Sequence, residues 1–148
     1  MFVLKISYAI LFLFIVYFQA WNSVTQTNVP AGKVLVYDRV NSNEGNGYDT
    51  SSGKFTAPRG GPYVFTWTAL TQDQYSLNVN LYVNGKNIGT AQADGAPGPQ
   101  NSSGSNTVVL TLNEGDVVTL RVENWNAQED RQFYGRPTSV STFAGWTL

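Results

Sequence analysis

The stretch Tyr37–Trp67, YDRVNSNEGNGYDTSSGKFTAPRGGPYVFTW, decides the reading of this chain. It closes in strict alternation. Tyr63, Phe65 and Trp67 fall on one side of an extended chain, with Val64, Thr66 and Thr68 on the other. That period of two marks a strand with one buried face. Asn, Asp, Ser and Gly crowd the intervals between Tyr37, Tyr48 and Phe55, and such residues favour turns. Gly47 before Tyr48 and Gly61 before the aromatic strand suit tight turns with positive φ.

The same alternation continues outward. Leu77, Val79, Leu81 and Val83 alternate with Ser76, Asn78, Asn80 and Tyr82, and Asn84-Gly85 follows at once, the strongest short hairpin signal. Val108, Leu110 and Leu112 form another strand, closed by Asn113-Glu114-Gly115-Asp116, and Val118, Leu120 and Val122 the next. Further strands are expected around Val34–Val40, Lys54–Ala57, Asn87–Ala93 and Ser139–Leu148. The segment Asp94–Asn106, DGAPGPQNSSGSN, reads as a loop by composition. Its Gly95–Gln100 part makes two collagen-like triplets, too few for a triple helix. Many short strands with turns between them make an all-β sandwich or barrel, and a double-sheet jelly roll fits the count.

Composition narrows the function. The 148 residues suffice for one domain with a core. Charged residues are 13% and the net charge is −1 with no long basic run, so broad electrostatic binding of nucleic acid is not expected. The chain contains neither Cys nor His. Disulfides and thiol chemistry are therefore excluded, as are His-dependent triads and His-bearing zinc sites.

The spacing of the opening stretch resembles the signature of the C1q domain. In that pattern an aromatic is followed after five residues by Asn or Asp, after four by an aromatic and after six by Phe. Five residues later comes Gly-x-Tyr-x-Phe-x-aromatic. Tyr37, Asn43, Tyr48, Phe55, Gly61, Tyr63, Phe65 and Trp67 meet all eight positions over 31 residues. Tyr37 stands where the pattern has Phe, and Trp67 where it has Phe or Tyr. Asn106–Val122 resembles the family's paired late strands and Ser141–Trp146 its closing strand. The resemblance implies a ten-stranded jelly-roll β-sandwich of the C1q/TNF-like type, with the signature aromatics in its core. It also implies assembly as a homotrimer.

At the N-terminus, Lys5 precedes an apolar run from Tyr8 to Phe18. Eleven residues are too short for a spanning helix and fit a signal peptide. The small-residue cleavage site after Ala20 has Phe18 two positions before it, a poor match. Val16–Trp21 also resembles the family's opening strand, which that cut would remove. The expected division is a signal peptide at 1–15, its end falling between 15 and 20, and a C1q-type domain at 16–148. The alternatives are an atypical join of leader and domain, or a buried strand or helix in place of a leader.

Candidate sites are few. The ten carboxylates are scattered, and none is paired by spacing for acid–base work, so no catalytic residue is assigned. Asp116 reads as part of a structural turn, and Asp38 precedes Arg39 at a strand edge. Some family members bind calcium near the trimer axis. On that resemblance Asp94 is the candidate ligand here, one acid per chain that a three-fold axis would have to gather. Asn101-Ser102-Ser103 is an N-glycosylation sequon. For ligand contact the segment 124–136 stands out, since it combines Trp125, Tyr134, Arg131 and Arg136 with amides and acids. Aromatic faces stack on sugars, and amides and charges bond their hydroxyls. The plainer reading is that Trp125 packs inward and the rest is ordinary loop. The resulting expectation is a secreted, non-enzymatic homotrimer binding carbohydrate or microbial surface patterns. The alternative is a secreted structural or signalling trimer that binds a protein receptor or matrix. No stable membrane span is expected.

Overall fold

The computed structural model describes residues 14–72, 76–95, 98, 101–123 and 141–148. Ten strands form in chain order: β1 Tyr17–Trp21, β2 Arg39–Glu44, β3 Tyr48–Asp49, β4 Lys54–Thr56 and β5 Gly61–Gln72. They continue as β6 Ser76–Val83, β7 Lys86–Asp94, β8 Asn101–Leu112, β9 Val117–Glu123 and β10 Thr142–Thr147. They pair antiparallel in two five-stranded sheets, ordered β2-β1-β10-β5-β8 and β3-β4-β9-β6-β7. The alternating apolar residues of both sheets meet in one core, making the jelly-roll sandwich.

The signature residues explain why. Tyr37, Tyr48, Phe55, Tyr63, Phe65 and Trp67 are all buried. The Tyr48 hydroxyl donates to the Tyr37 carbonyl and accepts from its amide, each at 3.1 Å. Burial pushes both phenols well above their ordinary range, so they stay neutral. Asn43 closes the intervening turn: its Oδ1 accepts from the Tyr48 amide at 3.2 Å and its Nδ2 donates to the Tyr48 carbonyl at 2.8 Å. Trp67 reaches across the sandwich and donates from Nε1 to the Val79 carbonyl at 3.0 Å, which satisfies its buried polar atom. Gly61 takes the expected positive φ, 140°. Gly47 does not; Asn46 turns the chain at φ 52° instead. Gly47 is needed for space, because a Cβ there would lie 2.4 Å from the Phe55 ring.

Three expectations about strands are corrected or sharpened. The single strand expected at Val34–Val40 is instead a crossing. Residues 33–35 bond to β9, the middle strand of the second sheet, through Leu35 N to the Leu120 carbonyl at 2.8 Å. The chain then passes to the first sheet and β2 begins at Arg39. Asp38 pins the crossing by accepting from the Ser23 amide at 2.8 Å and from its hydroxyl.

The loop read at Asp94–Asn106 is strand at both ends: Asp94 ends β7, and Asn101–Asn106 begin β8. β5 runs twelve residues, and its far half needs a partner as far as Gln72. That pairing overrides a composition suited to turns. The small residues serve another purpose. A Cβ on Gly104 would sit 1.8 Å from the Gln92 carbonyl oxygen, and Asn106 Nδ2 donates to the Thr90 carbonyl at 2.8 Å. The edges of the two sheets, β7 and β8, are thereby drawn together.

At the N-terminus, Tyr17–Trp21 does form a strand, as the resemblance implied. It lies inside its sheet between β2 and β10, with Phe18 and Ala20 buried.

Candidate functional site

Strand register places the described candidates, Asp94 and Asn101, at one end of the sandwich. Ser76 pairs with Asp94, Asn78 with Glu123, and Gln72 with Asn101, while Ser141 caps β10 beside them by accepting from the Leu70 amide at 3.2 Å. Asp94 is exposed there, and its Oδ2 accepts from Gln92 Nε2 at 2.7 Å. Among the described residues no three acids come close enough to hold a metal ion, so Asp94 supplies a single carboxylate per chain. Asn101 is exposed at the start of β8. Trp125, Arg131, Tyr134 and Arg136 lie outside the described residues, in the stretch that connects Glu123 to Ser141.

The strand leading into that stretch carries a polar cluster that sequence reasoning missed. Three alternate rungs of β6 and β9 pair Tyr82 with Thr119, Asn80 with Arg121 and Asn78 with Glu123 on the outer face of the second sheet. The Arg121 guanidinium lies 4.8 Å from the centre of the Tyr82 ring, a cation–π contact. The Tyr82 hydroxyl donates to Glu123, and that bond together with partial burial raises its pKa. Asn78 and Asn80 are buried on this outer side, and their Oδ1 atoms have no hydrogen-bond partner among the described residues. The signal was present in the alternation of Asn78, Asn80 and Tyr82 against the core residues. Only the register with β9 reveals what they face.

The outer face of the first sheet has a different character. Tyr17 pairs with Trp146, Trp146 with Val64 and Val64 with Val109, so four apolar side chains cross four strands in one row. Tyr17 is 43% exposed, Trp146 39% and Val109 66%, and Leu148 beside them 68%. At the other end of this face the projecting residues are mostly polar: Thr66, Thr68, Ser103, Ser105 and Thr107, with Leu70 opposite Ser103. In the row of Thr68 and Ser105 the Trp21 Nε1 donates to Asn41 Oδ1 at 3.2 Å, and Asn41 Nδ2 donates to Gln19 Oε1 at 3.2 Å.

Comparison with known proteins agrees with this geometry. The C1q domain model matches residues 17–148, from the first residue of β1 to the C-terminus. The chain belongs to the C1q domain family. Among curated relatives it is similar to caprin-2 of Danio rerio, 34% identical over 119 residues, which cover 77% of this chain and 12% of that protein. It is likewise 34% identical over 115 residues to the complement C1q tumor necrosis factor-related protein 3 of Mus musculus and of Homo sapiens. That match covers 77% of this chain and 44% of each relative. The chain thus spans less than half the length of these relatives. Among solved structures it resembles the globular domain of zebrafish complement 1qA, with TM-score 0.72 and 17% identity over 90% of this chain and 96% of that one. It also resembles murine APRIL, with TM-score 0.68 and 13% identity over 90% of this chain and 99% of that one. At those identities the likeness is one of fold. C1q/TNF-like domains are typically non-catalytic and typically form trimers, and their proteins are generally secreted.

Proposed function

We propose that this chain is a secreted, non-enzymatic C1q-domain recognition protein that works as a homotrimer and binds carbohydrate or microbial surface patterns. The observation that carries the reading is the apolar row Tyr17–Trp146–Val64–Val109 on the outer face of the first sheet, exposed at Tyr17, Trp146 and Val109 and buried at Val64. A flat row of large apolar groups on water is unfavourable, and covering it with further copies of the chain removes that cost. Three copies on a closed axis also place three equivalent binding ends on one side, which raises weak sugar affinity by multivalency.

In this reading the ligand is met at the end of the sandwich where β6 and β9 bring together Tyr82, Arg121 and Glu123. Trp125 and Tyr134 would offer stacking faces, and Arg131 and Arg136 would bond hydroxyls or carboxylates. A single Asp94 per chain does not make a calcium site. Calcium would enter only if three copies of Asp94 met at the axis. The leader would be cleaved ahead of Val16, because the next residue begins β1.

The test is a binding assay of the secreted protein on glycan arrays and bacterial surfaces, with and without EDTA. Saturable binding to glycans or bacterial surfaces supports recognition, and its loss in EDTA supports calcium. Binding confined to a protein receptor or matrix component would replace this reading with that of a signalling or structural trimer.

A further inference from the structure

Asn101 and Ser103 are both exposed at the start of β8, and Asn101-Ser102-Ser103 is the only Asn-x-Ser/Thr sequence in the chain. Side chains alternate along an extended strand. The acceptor amide and the hydroxyl two residues on therefore share one side, and neither belongs to the core. That side is the outer face of the first sheet, because Ser103, Ser105, Thr107 and Val109 pair with Leu70, Thr68, Thr66 and Val64. Eight residues separate Asn101 from Val109; at about 3.4 Å each this is roughly 27 Å. The face is thus divided along β8. Amide and hydroxyl groups predominate at the Asn101 end, beside a half-buried Leu70 and Trp21, and Tyr17, Trp146, Val64 and Val109 occupy the other.

We infer that Asn101 carries an N-linked glycan, and that this end of the face stays in solvent while the apolar end is covered by other copies of the chain. The inference rests on the secretory reading above, since attachment occurs in the secretory pathway. The sugar donor is a polyprenyl pyrophosphate-linked oligosaccharide. A bond forms between Asn101 Nδ2 and the sugar C1 as the bond from C1 to the pyrophosphate oxygen breaks. The lipid pyrophosphate leaves with the electron pair, and one Nδ2 proton passes to solvent. A hydrated glycan cannot be buried in a protein contact without losing its bound water. Its presence confines self-association to the apolar half of the face.

The full chain is expressed in a eukaryotic secretory host beside N101Q and S103A. Occupancy is read by gel mobility before and after peptide-N-glycosidase treatment and by the mass of the peptide holding Asn101. Association is read by light scattering with the glycan on and off. The expected result is a mobility shift that digestion abolishes, that N101Q and S103A lack, and an association state that does not change on digestion. Secreted protein with an unmodified Asn101 overturns the glycan. Association that appears only after digestion overturns the division of the face. If the native chain fails to reach the medium, the secretory reading is what has failed. A version with a heterologous leader in place of residues 1–15 still presents Asn101 to the transferase, and an unmodified Asn101 there overturns the inference.

Discussion

Phe18→Ala removes a ring that is 2% exposed and lies against four others. Phe18 stacks 4.9 Å from Tyr48 and 5.1 Å from Phe55, meets Phe143 edge-on at 4.9 Å, and tilts against Phe65 at 6.4 Å. Truncating a buried Phe to Ala costs about 3–5 kcal/mol through lost transfer energy and the cavity left behind. Ring pairs in this range of separation add about 0.5–1.5 kcal/mol beyond their buried area, which places Phe18 at the upper end. Set against a domain stability of about 5–15 kcal/mol, the loss is a large fraction. Phe18→Leu, which keeps more of the volume, should lose on the order of 1–2 kcal/mol. The assay is urea unfolding at one fixed protein concentration, because association makes the midpoint concentration-dependent. An unchanged slope with a lower midpoint marks a change in stability alone. If Phe18→Ala unfolds within about 1 kcal/mol of the parent, β1 is not part of the core and the domain begins after Ala20.

Gly104→Ala should destabilise by about 1–3 kcal/mol in the same assay, since the new methyl meets the Gln92 carbonyl and must part β7 from β8; an unchanged midpoint would refute that contact. Acid should weaken the fold through Asp49 and Asp116. The Ser51 hydroxyl and amide hold Asp49 down at about 2, and the Asn84 side chain and Asn113 amide lower Asp116. Both folded carboxyls titrate below the unfolded value of about 3.9, so their stabilisation is present above that pH and is lost as pH falls toward 2. Asp49→Asn should flatten the acid limb of the melting temperature, and an identical limb would exclude Asp49 as a cause. If residues 124–136 read acidic sugars, Arg131→Ala and Arg136→Ala should weaken binding, most at low salt, without moving the melting temperature. Parent-like binding by both variants would send the search to the Asp94–Asn106 segment or the trimer apex.

What could be read from the sequence followed from how local each cause is. The aromatic spacing from Tyr37 to Trp67 reports the core because each member packs or hydrogen-bonds with another, as Tyr48 does with Tyr37 and Asn43. The Asn84-Gly85 hairpin was legible because both residues take positive φ, 48° and 84°, which the dipeptide favours. Asn101–Asn106 was not legible as strand, since its cause is remote: the long partner β5 and the approach of Gln92 to Gly104. The Val34–Val40 crossing was hidden for the same reason, being directed by Ser23 and Leu120. Of the site, composition singled out 124–136 and the sequon. The Tyr82–Arg121–Glu123 cluster depends on register between β6 and β9, and the apolar row on register across four strands. Neither register can be read from one strand alone.

The central claim is that the apolar row across β1, β10, β5 and β8, exposed at Tyr17, Trp146 and Val109, is where copies of the chain meet. The most direct measurement is the light-scattering mass of the secreted protein at micromolar concentration, beside the double variant Val109→Ser, Trp146→Ser. Both residues are exposed, so the variant should keep the parent's circular dichroism spectrum. The account predicts three chain masses for the parent and one for the variant. A monomeric parent, or a folded variant that still measures three, would contradict it.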